Sequence, residues 1–111
     1  MSSVEISFEE FQRLDIRIGT IVNVERIPRT EKLYKILVDV GSYGTRQTVA
    51  SLAPYYATEE LKGKRIVFLS NLKPAKFSGE SSQGMLLAAE EGGKVSLLSL
   101  DRDMPNGARV R

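Results

Sequence analysis

The stretch Asn71-Leu72-Lys73-Pro74-Ala75-Lys76-Phe77-Ser78-Gly79 sets a carboxamide and two amines along a proline-stiffened backbone, directly after an apolar run. Two lysines with no acidic neighbour suit phosphate oxygens, because each ammonium is a compact charge carrying three donors. Ser82, Gln83 and Met85 follow. A hydroxyl and an amide can bond a base or a ribose, and a half-exposed thioether could pack on a base ring. The alternatives are a solvated loop for the lysines and a core position at the start of a strand for Met85.

Other chemistry finds little support. Glu9/Glu10, Glu59/Glu60 and Glu90/Glu91 are adjacent in sequence, so on a helix or strand their side chains diverge and read as solvated surface. Asp101 and Asp103 have a spacing that could hold a metal, but no calcium-loop pattern follows them. The chain has no Cys, His or Trp, which removes disulfides, thiolate metal sites, a thiol nucleophile, imidazole acid–base chemistry and the Ser-His-Asp triad. Gly41, Gly44, Gly79, Gly84, Gly92 and Gly93 read as turns and form no phosphate-cradling motif. The expectation is a non-catalytic protein with no cofactor and no metal.

Charge is modest in sum and uneven in placement. The 111 residues carry 16 Lys+Arg and 14 Asp+Glu, a net charge of +2. Between Lys62 and Phe77 lie Lys62, Lys64, Arg65, Lys73 and Lys76 with no acid, and between Arg26 and Arg46 lie Arg26, Arg29, Lys32, Lys35 and Arg46 against Glu31 and Asp39. Acids gather instead in Glu5, Glu9, Glu10 and in Glu90, Glu91. That polarity can form a basic face for a polyanion or an ordinary mixed surface. The N-terminus lacks the basic and apolar regions of a signal peptide, and no apolar run approaches the roughly 20 residues that span a bilayer. A cytoplasmic protein with no membrane partner is the default expectation.

The elements that must position these groups read as strands. Ser7 and Glu10 have capping-box spacing, with Phe8 and Phe11 on one face of a short helix. From Leu14 to Arg26, Leu14, Ile16, Ile18, Val22 and Val24 share one parity, predicting a long half-buried strand with Gly19 as the place for a bend or bulge. Pro28 interrupts it, since it cannot donate to a ladder. Tyr34, Ile36, Val38 and Val40 then alternate, Gly41–Gly44 turns, and Thr45 to Ala50 returns as a hairpin. Pro54 to Leu61 reads as a short helix or turn, Lys64 to Ser70 as a compact strand, and Asn71 to Gly84 as a loop. Met85 to Ala89 reads as another apolar run, and Val95 to Leu100, after the Gly92-Gly93 turn, as the last main strand. Five or more short strands with tight connections predict an all-β sandwich or small barrel, and a five-stranded Greek-key barrel fits the length. A chain this long should bury roughly 65% of its unfolded surface, enough for one core.

Several linked motifs then carry a resemblance. Leu14-Asp15-Ile16-Arg17-Ile18-Gly19, Glu31-Lys32-Leu33-Tyr34, Val38-Asp39-Val40-Gly41, Asn71-Leu72-Lys73-Pro74 and Ser82-Gln83-Gly84-Met85-Leu86-Leu87-Ala88-Ala89 occur in the order seen in the tRNA-binding domain family. The chain resembles that family from about Phe8 to Arg111. Members form the C-terminal domain of many bacterial methionyl-tRNA synthetases, occur in the endothelial monocyte-activating polypeptide group, and stand alone as a structure-specific tRNA-binding protein and a secretion-related chaperone. The resemblance implies one oligonucleotide-binding (OB) barrel over 1–111, a five-stranded Greek-key fold with short accessory helices and strands, and tRNA recognised by shape. It carries RNA contact onto Lys32, Asn71, Lys73, Lys76, Ser82 and Met85. Where the family often has His-Pro-Asn-Ala-Asp-Lys, this chain has Ile27-Pro28-Arg29-Thr30-Glu31-Lys32, and Ala75, Phe77 and Ser78 replace more basic residues. Arg29 and Arg46 are the cations available to offset those losses.

The expected function is a free-standing, non-catalytic tRNA-binding protein, with two rivals. One is a trans-acting tRNA-binding subunit of methionyl-tRNA synthetase. The other is a chaperone for exposed polypeptide segments, which an apolar groove in place of a basic face would favour. The resemblance to two-fold dimers, with apolar Val4, Ile6, Phe8, Val95, Leu97, Leu98 and Leu100 near the ends, predicts a homodimer.

Overall fold

The computed structural model describes residues 4–111. Its first element is the expected helix, α1 (Phe8–Gln12), and both limbs of the capping box are made. The Glu10 N–H donates to Ser7 Oγ and the Ser7 N–H to Glu10 Oε1, each at 3.0 Å. Strand β1 (Ile16–Arg26) follows, then β2 (Tyr34–Asp39), a 3-10 turn at Gly41–Tyr43 and β3 (Thr45–Ala50). Helix α2 (Thr58–Leu61) leads into β4 (Arg65–Leu69).

β1 serves two neighbours. Ile16–Thr20 pairs with β4, and Thr20–Arg26 pairs with β2. The register slips between Ile21 and Asn23, so the bulge sits at Val22 and not at Gly19. Gly19 stays in register opposite Ile66, and what it supplies is room: a Cβ there would lie 2.5 Å from Val38 Cγ1 and 3.1 Å from the Asp39 carbonyl. The slip also divides the parity read from the sequence. Ile16 and Ile18 join one apolar cluster, whereas Ile21 joins another, with Val24 packed against it.

Beyond β4 the chain departs further from expectation. The segment read as one loop contains a hairpin, β5 (Ala75–Phe77) and β6 (Glu80–Ser82). Ser78 (φ 51°) and Gly79 (φ 81°) form its two-residue turn, the both-positive pattern that matches strand twist. The run from Met85 divides into β7 (Met85–Leu86), which pairs with β4, and β8 (Ala88–Glu91). β9 (Lys94–Leu97) pairs only with β8, so the last strand forms a separate ribbon and is not part of the main sheet.

The main sheet runs β3-β2-β1-β4-β7, antiparallel throughout. β4 returns beside β1 after the β1-β2-β3 meander, which is Greek-key order. The segment before β7 closes the far side onto β3. Gln83 N–H donates to the Gln47 carbonyl at 2.8 Å, the Gln47 N–H to Gln83 Oε1 at 3.2 Å, and the Val49 N–H to Ser82 Oγ at 3.0 Å. The result is a five-stranded, nearly closed all-β barrel of the OB type.

β4 explains why its run is uniformly apolar. Ile66 and Phe68 point into the barrel with Ile21, Ile36, Val38 and Leu61, while Val67 and Leu69 point outward to a second cluster. Phe11, Leu87, Leu100, Ala108 and Val110 cover that outer cluster. The C-terminal segment is held on the free edge of β1 by Gly107 N–H to the Ile18 carbonyl, Ile18 N–H to Ala108 and Val110 N–H to Ile16, at 2.7, 2.9 and 2.9 Å. Full burial of a large apolar side chain stabilises by about 1.5–3 kcal/mol, and these partly buried ones contribute a share of that. Helix α1 and the C-terminal segment thus both belong to the packing of the barrel. Of the terminal apolar residues, Leu97 is core and Val95 packs on it, while Val4, Ile6, Phe8 and Leu98 remain exposed. No helix among the described residues is long and apolar enough to cross a membrane.

Candidate nucleic-acid interface

The basic segment leaves β4 through a tightly bonded root. The Ser70 hydroxyl lies 2.6 Å from Asp15 Oδ2 and 2.8 Å from the Asp15 carbonyl. Arg17 Nε donates to Asp15 Oδ1 at 2.8 Å, and the guanidinium sits 4.1 Å from the Tyr43 ring centroid, a cation–π distance. The Ser70 hydrogen bond, helped by Arg17 and opposed by partial desolvation, holds the Asp15 carboxyl below the usual carboxylate range. Asn71 completes the root. Its Oδ1 accepts from the Asp15 N–H at 2.8 Å and its Nδ2 donates to the Arg13 carbonyl at 2.6 Å.

Two of the residues expected to touch RNA already make hydrogen bonds to other parts of the protein. Both amide atoms of Asn71 are committed to the α1–β1 junction. Ser82 is buried, and its hydroxyl meets the Val49 N–H, Thr48 Oγ1 and the Gly84 carbonyl at 3.0, 3.2 and 3.3 Å, forming the barrel seam. Ser82 is thus buried in the seam, whereas Asn71 is exposed at the surface beside the bonds it makes. Arg46 is half-buried, with Nε on the Tyr43 carbonyl and Nη1 on the Ser70 carbonyl, both at 3.4 Å.

The others face solvent. Lys73 and Lys76 are exposed on the arm between β4 and β6, and neither forms an ion pair among the described residues. Met85 is half-exposed at the start of β7, opposite Leu69. Arg29 and Lys32 are exposed on the turn before β2, where Arg29 adopts φ 65° and the Lys32 carbonyl accepts from the Ala53 N–H at 3.1 Å. Glu80, at the hairpin tip, lies 3.8 Å from Lys35 Nζ, which also meets Glu25 at 3.2 Å. That contact lays the tip against the first residues of β2, on the side from which the Arg29–Lys32 turn emerges. Glu25 first, then Glu80, hold the Lys35 ammonium above the usual lysine value, so Lys35 is a paired cation.

The remaining surfaces are quickly described. No group of three or more metal-ligating side chains comes together among the described residues, and Asp103 is paired with Arg65 at 2.7 Å. A groove of about 480 Å³ opens between β3 and β7–β9, lined in part by Val49, Leu52, Tyr55, Met85, Leu87 and Val95. Sequence reasoning missed the Asp15–Arg17–Ser70 root, although the i, i+2 spacing of Asp15 and Arg17 in a strand was its one signal. It also missed the presentation of Phe77 at a hairpin tip.

With this geometry in view, the family model described as "Putative tRNA binding domain" matches residues 16–109. The chain belongs to the tRNA-binding domain family. Methionine–tRNA ligases of Methanococcus maripaludis and Archaeoglobus fulgidus are 50% and 49% identical over 105 and 106 residues, covering 95% and 96% of this chain. The chain spans 16% of the length of each ligase. Among solved structures, a MetRS-related protein from Pyrococcus horikoshii is 42% identical with a TM-score of 0.92, covering 98% of this chain and 100% of that one. The chaperone CsaA of Bacillus anthracis is 32% identical with a TM-score of 0.87, covering 97% and 100%. The fold and the family are thus those the linked motifs implied.

Proposed function

We propose that the chain is a non-catalytic, cytoplasmic tRNA-binding module, with residues 1–111 acting as one OB-fold domain that reads tRNA shape. Membership of the tRNA-binding family across residues 16–109 carries the reading. Lys73 and Lys76, unpaired among the described residues, support it, as do Arg29 and Lys32 on the same flank as the hairpin tip. These four contact phosphates, with Arg46 at the barrel rim and Met85 packing beside them, while Asn71 and Ser82 hold the surface in place. The identity to methionine–tRNA ligases supports a finer role, in which the module raises the tRNA affinity of such a ligase through a second tethered site. The exposed Val4, Ile6 and Phe8 support a homodimer that buries them across a two-fold axis. Light scattering at micromolar concentration should give twice the mass of one chain, and a single-chain mass rejects the dimer.

The apolar groove beside β3 favours one second reading, a chaperone that takes extended polypeptide, as the likeness to CsaA structures allows. Filter binding with mixed tRNA over a salt series, run beside binding of an unfolded polypeptide, decides between them. The tRNA reading expects salt-dependent retention of tRNA. Retention of polypeptide alone rejects it.

A further inference from the structure

We propose that Phe77 is a stacking platform for an unpaired nucleobase, presented at the tip of the β5–β6 hairpin; this rests on the tRNA-binding reading and adds to it the first base contact. The chain has four phenylalanines. Phe68 is fully buried, Phe11 packs in the outer cluster and Phe8 lies on α1. Phe77 serves neither core, and 46% of it is exposed. A single exposed ring is ordinary on any protein surface. What distinguishes this one is how firmly it is held and what surrounds it.

The hairpin is anchored at its base. Gln47 Nε2 donates to the Ser81 carbonyl at 2.9 Å, and Ser82 and Gln83 are bonded to β3. At its tip, Phe77 pairs with Glu80 across the Ser78-Gly79 turn, the tightest connection two strands allow. The backbone under the ring is thus fixed, and a stacked base would cost little further ordering. Alternation places Phe77 and Lys76 on opposite faces of a two-stranded ribbon, with Lys73 just before it. An RNA strand crossing the ribbon edge can set phosphates on the lysine side and a base on the ring. Glu80, beside Phe77, is an acid that lies 3.8 Å from Lys35, a cation it shares with Glu25 at 3.2 Å. Aromatic rings flanked by cations are the elements from which single-stranded nucleic acid sites are built, because every base has a π-face.

The absence of tryptophan makes the test direct. Phe77→Trp places one indole at the tip, and tRNA should quench its emission with the same midpoint that filter binding gives. Phe77→Ala should weaken tRNA binding by about 5- to 150-fold, the range for one stacked base, with an unchanged salt slope. Phe77→Tyr should restore most of the affinity and Phe77→Leu should not, which separates stacking from apolar packing. Circular dichroism and thermal unfolding should stay as in the parent chain, since the ring lies outside both cores. Unchanged affinity of Phe77→Ala, full rescue by leucine, or an indole that tRNA leaves unquenched while filter binding persists overturns the platform and leaves the tRNA reading intact. An indole that answers unfolded polypeptide and not tRNA overturns both, as does a parent chain that binds no tRNA.

Discussion

The segment from Ser70 to Gly84 has two parts that differ in how their polar groups are used. At its roots, Ser70, Asn71, Ser82 and Gly84 are bonded or wedged into the barrel, through contacts with residues more than 30 positions away. Between the roots, Lys73 to Gly79 is exposed, and its lysines have no acidic partner among the described residues. The roots spend their polar atoms on the protein, and the arm keeps its charges free for something else. Residues contiguous in sequence thus divide into those that set the position of a binding surface and those that could form it. Substitutions at the roots should change stability and binding together, whereas substitutions on the arm should change binding alone.

The sharpest break is expected at Gly84. It adopts φ 128°, and a Cβ there would lie 2.4 Å from Phe68 Cζ and 2.6 Å from the Leu69 carbonyl. Neither neighbour can yield, because Phe68 is at the centre of the core. Backbone strain and overpacking together should make Gly84→Ala cost about 2–5 kcal/mol, a large share of a small domain's stability. Thermal unfolding would show the loss, with tRNA binding falling in parallel. An unshifted midpoint would mean that the seam is far softer than its distances indicate.

Next come Asn71 and Asp15. Asn71→Ala leaves the Arg13 carbonyl and the Asp15 N–H without their partner, and should cost about 1–2 kcal/mol. Affinity should fall as well, with the salt slope unchanged, because no charge is lost. A direct contact would lower affinity and leave the unfolding midpoint alone, so the two measurements tell position from contact. Asp15 adds a pH signature. Its folded-state carboxyl titrates below its unfolded value of about 4, so its stabilisation is complete above that value and is lost as pH falls through the lowered folded one. Asp15→Asn should therefore flatten the stability profile on the acid side of pH 4. A parallel profile in parent and variant would place the acid sensitivity elsewhere.

On the arm and the facing turn, Lys73→Ala, Lys76→Ala and Lys32→Ala should each leave stability within about 0.5 kcal/mol. Each should weaken every tRNA alike and lower the salt slope by somewhat under one unit. Binding isotherms at several salt concentrations read this directly. Three unchanged slopes would place the RNA face elsewhere on the barrel.

The same contrast marks what the sequence could show. The alternation of Tyr34, Ile36 and Val38, the Ser7–Glu10 cap and the unbroken run Ile66–Leu69 were legible because local pattern and tertiary burial agree there. The bulge at Val22 was not, since valine at 22 and 24 continues the parity of Ile16 and Ile18 and nothing local marks a slip. The β5–β6 hairpin escaped because its strands are three residues long and carry no apolar alternation. At the site, residue type revealed which side chains can bond phosphate or base. It did not reveal that Asn71 and Ser82 already have partners in the fold, since all of those but the Gly84 carbonyl lie 33 to 58 residues away in sequence.

The smallest expected effect lies at the tip itself. Ser78 holds φ 51°, a left-handed conformation that costs a residue with a Cβ about 1 kcal/mol or more. Ser78→Gly removes that strain and adds backbone entropy to the unfolded chain, so the two terms largely cancel. Ser78→Asn should do slightly better, by a few tenths of a kcal/mol, because asparagine followed by glycine is favoured in this turn and keeps a side chain. Since the roots, not the tip, carry the stability of the segment, neither change should move the unfolding midpoint by more than a few degrees. Both should leave the salt slope of tRNA binding untouched, because the lysines keep their charges. Hydrogen exchange at the Lys76 and Phe77 amides would register tighter hairpin pairing in Ser78→Asn. A larger stability change from either variant would show that the tip is coupled to the barrel, and the division between bonded root and free arm would have to be redrawn.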